Sequence, residues 1–381
     1  MSCAKRAVYD VLSHRDPDYI PLGVYTIDCD TAATILGRET FVRDKVRSQL
    51  ALWAGRRDEV VQSLREDSVE LYRKLSCVDL LLPSKDAPLL PPADYEPPAI
   101  EQLDEKTWRT EDGTVYRASF ETNDISVVER PRRAYALEDF SMGSAVPSAM
   151  SIDKSVFDAY DHYIAAFAAD RFIAGTSGGF QTMVLLGGME DGLVRYALEP
   201  ELVAAATRYR TAGDNARDDV MIRPGVDEVF VEEDFASSGG PLVSPEMFRE
   251  FVLPAMRERI AHIKTLREKL IFHCCGNTWP LLDMFVEAGV DCYQSLQTGV
   301  MDIAELKGQY GDRLSFWGGV AVEHLVSGTA EEVRADVRFA MEHARHGGGF
   351  ILGPSHSIAY GTKYDNFMAM LDEHDRLKCR S

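Results

Sequence analysis

Long apolar runs are missing from this sequence. None of about 18 residues occurs, and the N-terminus, MSCAKRAVYDVLSHRD, has no apolar stretch of signal-peptide length, so neither a transmembrane helix nor a secretory leader is expected and the protein is read as cytoplasmic. Positive charge is scarce as well: 41 Lys and Arg stand against 61 Asp and Glu, a formal net charge of -20. A polyanionic backbone or an anionic membrane needs a basic face, so the charge argues against a nucleic-acid partner and disfavours a membrane one, while a local basic pocket for a small anion stays open. Cysteine comes to seven, an odd and scattered set that is no disulfide framework. Internal repeats and low-complexity segments are absent too. At 381 residues the chain buries a sizeable core without staples.

From about residue 155 the pattern is regular. Helical stretches alternate with short apolar strands: RFIAGTS, VDEVFVEED, KLIFHCC, VDCYQSL, LSFWGGV and GFILGPS. Their links are short enough to demand right-handed crossovers. The first third is less regular. Residues 1–14 read as an amphipathic helix, YIPLGVYTID as a strand, and 40–75 as helix broken near Gly55. TWRTEDGTVYRASF reads as a hairpin turning at Asp112-Gly113, with DISVVERP as a further strand. The strand count approaches eight, which favours a closed (β/α)8 TIM barrel with an N-terminal helical extension and a β-hairpin insertion.

Chemistry in such a barrel collects at the C-terminal strand ends. KLIFHCC delivers His273, Cys274 and Cys275 there, and strand alternation puts His273 and Cys275 on one face. VDEVFVEED ends in Glu232, Glu233 and Asp234; VDCYQSL leads to Gln294 and Gln297; GFILGPSHSI ends in His356. Tyr25, Asp28 and Asp30 follow the first strand. His273, Cys275 and His356 together make a three-ligand zinc site with an open fourth position, the pattern of a catalytic zinc. Glu232 or Asp234 then serves as fourth ligand, partner of a histidine, or proton carrier. The plainer alternative is that each His is a hydrogen-bonded strand-end residue, that Cys275 packs, and that Asp234 caps the next helix.

In combination these segments resemble the uroporphyrinogen decarboxylase superfamily, and within it the zinc-dependent, corrinoid-linked methyltransferases. The resemblance is carried, in order, by VEEDFASSGGPLVSPEMFREFVLP, FHCCGNTWPLLDMFVEAGVD, Gln297 with MDIAELKGQYGDRLSFWGG, GTAEEVRADV, GGGFILGPSHSI and NFMAM, with RDPDYIPLG resembling the family's opening. It implies one barrel domain over residues 1–381, of which 1–150 carry an N-terminal extension and the hairpin excursion. It also implies Zn2+ on His273, Cys275 and a late third ligand. That ligand is Cys in the thiol-methylating members and His356 here, which puts thiol-acceptor chemistry in doubt. The implied activity is methyl transfer with a small-molecule methyl donor or acceptor, favouring demethylation of a methoxylated or methylated compound. Glu232 and Asp234 are then the catalytic pair, and Gln297, Tyr293, Tyr25 and Asp28 bind substrate. An Asp-x-His-x-x-Gly corrinoid ligand motif is absent from the sequence, so cobalamin rides on a partner corrinoid protein; a homodimer is compatible with the fold. Two rivals remain. One is a metal-free decarboxylase or lyase with Asp234 or Asp28 as acid. It is disfavoured because IPLGVYTIDCDTAATILGRE lacks the Met-Arg-Gln-Ala-Gly-Arg pattern, offers only Arg38, and predicts a net-acidic mouth. The other is a non-catalytic corrinoid-protein partner.

Overall fold

The computed structural model describes residues 1–141 and 152–379. Seven parallel strands form one curled sheet in the spatial order Leu80–Leu81, Phe172–Gly175, Glu228–Glu232, Leu270–His273, Cys292–Leu296, Ser315–Val320 and Phe350–Pro354. The eighth stave is the early segment YIPLGVYTI. It meets both edges of the sheet through isolated parallel bridges, Leu22 to Leu352 on one side and Gly23 to Leu80 on the other. The Gly23 amide donates to the Leu352 carbonyl at 2.9 Å and the Asp79 amide to the Leu22 carbonyl at 2.8 Å, which closes the ring. The expected (β/α)8 barrel is therefore present, with its last seam made by a few bonds rather than a continuous ladder.

Alternation along each strand sorts the side chains into two cores. Phe172, Ala174, Phe230, Ile271, Cys292, Trp317 and Ile351 point inward and fill the barrel. Their neighbours in sequence, such as Ile173, Val229, Val231, Phe272 and Tyr293, point outward into the larger layer between strands and helices. At the N-terminal end the helix Cys3–Leu12, capped by the Ser2 hydroxyl accepting from the Lys5 amide, plugs the barrel with Val8, Val11 and Leu12. Its Val11 carbonyl accepts from the buried Ser315 hydroxyl at 2.9 Å.

The hairpin expected at Asp112-Gly113 forms, with Thr107–Thr110 paired to Val115–Ser119 and Gly113 at φ 85°. Flanking strands Ile100–Gln102 and Asp124–Glu129 extend it to four, and Trp108 and Ala118 pack on Val46 of the helix Lys45–Trp53. Gly55, at φ 72°, separates that helix from Arg57–Lys74. No helix among the described residues is long and apolar enough to cross a membrane. The last nine residues of the expected N-terminal segment 1–150, from 142 onward, lie outside the described residues.

Gly23 is where the closing seam and the barrel interior meet. A Cβ there would lie 2.6 Å from the Trp317 indole, whose Nε1 donates to the Gly23 carbonyl at 3.0 Å. Neither the buried ring nor the backbone can yield. Gly23→Ala is expected to destabilise the fold by about 1–3 kcal/mol through overpacking, read as a lower urea midpoint with an unchanged slope.

Candidate metal centre

Strand register assembles the site. His273 pairs across the sheet with Glu232 on one side and Gln294 on the other, so the three lie on neighbouring staves above the apolar trio Phe230, Ile271 and Cys292. His273 Nδ1 is hydrogen-bonded to Gln294 Oε1, which leaves Nε2 facing the Cys275 thiol at 3.2 Å. His356, from the loop after the last stave, closes in from the other side with its ring centroid 5.6 Å from that of His273. One ligand atom each of His273, Cys275 and His356 lies within 4.8 Å of the other two, and among the described residues this is the group of three so arranged. Zinc bonds of about 2.0–2.3 Å need ligand atoms roughly 3.3–3.8 Å apart, so the donor set fits a zinc ion after small side-chain rotations.

Electrostatics agrees with the donor types. Burial lowers the His273 pKa from its usual value, and it pushes His356 down to about 4, with help from His273 and Arg43. Both rings are therefore neutral donors. Burial and the Asp234 charge push the Cys275 thiol up to about 12, so without a cation it keeps its proton.

Tyr25 stacks on His273 at 4.7 Å and tilts against His356 at 5.2 Å, and its hydroxyl donates to Glu232 at 2.7 Å. Glu232 also pairs with Lys85, whose ammonium sits 4.9 Å above the Tyr25 ring. Burial works to raise the Glu232 carboxyl, but the Lys85 charge and the bonds from Lys85 and Tyr25 outweigh it and hold the group below its usual value. Asp234 accepts from the Cys275 amide at 2.8 Å and so fixes the loop that carries the thiol.

The structure gives several of the expected substrate-binding residues partners within the protein. Tyr293, expected to bind substrate, is fully buried in the outer core; its hydroxyl donates to the Cys274 carbonyl and accepts from Thr278, both at 2.8 Å. The parity that sends Cys292 and Gln294 inward sends Tyr293 outward, so Gln294 is the inward residue of that stave. The Gln297 side-chain Oε1 accepts from the Gly276 amide at 2.6 Å, which braces the turn after Cys275. Both Asp28 oxygens are engaged, one by Arg43 at 3.1 Å and one by the Tyr360 amide at 3.0 Å, so it ties the first stave to the His356 loop. Arg38, the basic residue of that N-terminal segment, pairs with Asp67 and Glu70.

Lys85 escaped the sequence reading, which treated LLLPSKDAP as a strand end running into loop. The strand-end rule applied to that stave finds it, because Pro83 starts a single helical turn, Pro83–Asp86, that lifts Lys85 to the mouth. Asp86 anchors the turn from beneath by accepting from Thr26, Tyr72 and Tyr163 at 3.0–3.1 Å.

Comparison with known proteins identifies the family. The uroporphyrinogen decarboxylase (URO-D) family model matches residues 171–377, more than half of the 381 residues. The chain belongs to that family. It is 33% identical over 146 residues to a methylated-thiol–coenzyme M methyltransferase of Methanosarcina mazei, covering 38% of this chain and 36% of that protein. It is 30% identical over 158 residues to a uroporphyrinogen decarboxylase of Thioalkalivibrio sulfidiphilus, covering 40% and 42%. The matches thus span about two fifths of either relative's length. The solved structure of a methyltransferase from Methanosarcina mazei superposes with a TM-score of 0.65 at 18% identity, covering 99% of both chains, which shows a shared fold.

Asp86 supplies a pH test. Burial raises its carboxyl to about 7 against the pull of three hydroxyl donors. An acid with a raised folded pKa contributes stability that is full below its usual range and is lost as pH rises through the folded value. Asp86→Asn removes that dependence. The wild type should lose up to about 4 kcal/mol relative to the variant between about pH 4 and pH 8, whatever the variant's absolute stability, and urea titrations across that range read the slope.

Proposed function

We propose that this protein is a zinc-dependent methyltransferase that works with a separate corrinoid protein and demethylates a small methoxylated or methylated compound. The observation that carries the reading is the convergence of two neutral imidazoles and one thiol at the C-terminal mouth of the barrel. The methylated-thiol–coenzyme M methyltransferase among the relatives supports methyl transfer as the reaction class.

His273 Nε2, Cys275 Sγ and a His356 ring nitrogen would hold the zinc. Bound there, zinc supplies Lewis acidity for the oxygen, nitrogen or sulfur that the methyl group leaves, at an open fourth position. Every other contribution comes from the chain itself. Gln294 fixes the His273 tautomer through Nδ1. Tyr25 covers one face of both imidazoles and keeps water from them. Asp234 holds the Cys275 backbone in place. The Lys85 ammonium, at the mouth and paired with Glu232, stands ready to donate a proton to the departing atom, with Glu232 keeping the lysine charged until then. An alkoxide or phenolate leaving group has most need of such stabilisation, which favours demethylation over the reverse transfer.

Elemental analysis of protein purified without chelator should find about one zinc per chain, as expected of a three-ligand site. Ala substitutions at His273, Cys275 or His356 should remove it while circular dichroism shows a retained fold. Demethylation of methoxylated donors, followed as methylation of free cob(I)alamin, should vanish with the metal. Activity that persists in a His273→Ala/Cys275→Ala double variant would instead favour the metal-free lyase reading. Gln294→Leu keeps all three ligands but frees the imidazole, and should weaken zinc binding about 10–100-fold in a chelator competition.

A further inference from the structure

A cavity of about 1010 Å3 opens beside the mouth. It does not contain the ligand trio but abuts it, with Glu232 and Asp234 in one wall. Five arginines line it: Arg130, Arg132, Arg133, Arg195 and Arg210. In a chain of net charge -20 that concentration is unexpected.

Four acids, Asp191, Glu232, Glu233 and Asp234, share the lining with the five arginines, and three of the four are engaged elsewhere, Asp234 by the Cys275 amide. Glu232 is paired with Lys85. Glu233 accepts from the Thr182 amide and hydroxyl at 2.7 Å and from the Met183 amide at 2.9 Å. Arg210 pairs with Asp214 at 3.2 Å and Arg195 with Glu199 at 2.6 Å, whereas Arg133 reaches Asp139 only at 3.8 Å. Among the described residues Arg130 and Arg132 form no ion pair, and the buried Arg195 Nε has no hydrogen-bond partner. Two of the guanidinium groups are also held in place: Arg133 and Arg195 lie 5.4 and 5.5 Å from the Tyr135 ring centroid. The lining also holds apolar side chains, among them Phe180, Met183 and Leu186.

Resting on the methyltransferase reading, we propose that this cavity is the substrate's specificity pocket and that the methylated substrate is an organic anion. Its apolar, aromatic body lies along Phe180 and Met183, its methyl-bearing end reaches past Asp234 to the metal centre, and its carboxylate or sulfonate is gripped by Arg132, Arg133 and Arg195. Guanidinium groups match such oxyanions through paired N–H donors. The volume suits this class too, being far larger than a bare methyl thiol or methylamine requires and at the upper end of the range for drug-sized ligands.

Isothermal titration of the purified protein with 4-methoxybenzoate, 4-methoxybenzenesulfonate and the methyl ester of the former tests this directly. At least one anion should bind, about tenfold or more tighter than the neutral ester, the effect of one charge-assisted hydrogen bond, and more weakly as salt is raised. Which anion binds better separates carboxylate from sulfonate. Arg132 and Arg133 are exposed, so Arg132→Ala/Arg133→Ala should leave the fold intact. It should weaken the anion about tenfold and leave the ester unchanged. Equal affinity for acid and ester, an unchanged anion affinity in the double variant, or no anion binding at millimolar concentration overturns the proposal. Zinc content measured on the same samples separates the two readings. Charge-blind binding by zinc-loaded protein sinks the pocket alone; charge-selective binding by protein that takes up no zinc sinks the methyltransferase reading and leaves the anion site.

Discussion

One imidazole organises the mouth of this barrel. His273 is held by Gln294 at Nδ1, covered on a face by Tyr25, and directed through Nε2 at Cys275. Each restraint comes from a different stave, and each exists because the strands run in register with the same residues turned inward. Glu232, His273 and Gln294 are cross-strand partners, as are Phe230, Ile271 and Cys292 one step below. Shift any of these strands by one residue and the polar and apolar sets exchange faces. The barrel core and the candidate site are thus products of a single parity.

That parity explains what could be read from the sequence. The staves from Phe172 to Pro354 were legible because each is a short apolar run bounded by helices. The pairing of His273 with Cys275, and the exclusion of Cys274, followed from alternation; Cys274 lies buried with its sulfur accepting from the Phe235 amide at 3.2 Å. Applied to the next stave, the same rule would have chosen Gln294 over Tyr293, but register between two parallel strands is a tertiary property that neither strand carries alone. The eighth stave was expected near residues 19–28, yet its attachment by isolated bridges was beyond reading, since Gly23 meets residues more than 50 positions away. Lys85 was hidden by its proline-rich surroundings, and the arginine cavity by its assembly from segments spread over residues 130–234.

Charge is where sequence-wide averages mislead most. The net charge of -20 describes the whole surface, while the local field is set by a few groups: Lys85, Arg43, Glu232 and Asp234 near the imidazoles, and five arginines with four acids along the adjoining cavity. In a partly enclosed cleft such groups dominate the local potential, because nearby low-dielectric walls focus their field. On the proposed reading, it is this local field and not the net charge that decides whether an anion enters. Family membership fixes the barrel; the donor trio, the Lys85–Glu232 pair and the arginines are the local features from which an activity has to be argued.

The central claim is that an imidazole and a thiolate from one stave, with a second imidazole from the last, bind one divalent ion. X-ray absorption at the zinc edge of the purified protein addresses it most directly. The account predicts one sulfur neighbour at about 2.3 Å and two nitrogens at about 2.0–2.1 Å, with the sulfur signal absent in Cys275→Ala. A first shell of nitrogen and oxygen only, or a sulfur signal that survives the loss of Cys275, would contradict it.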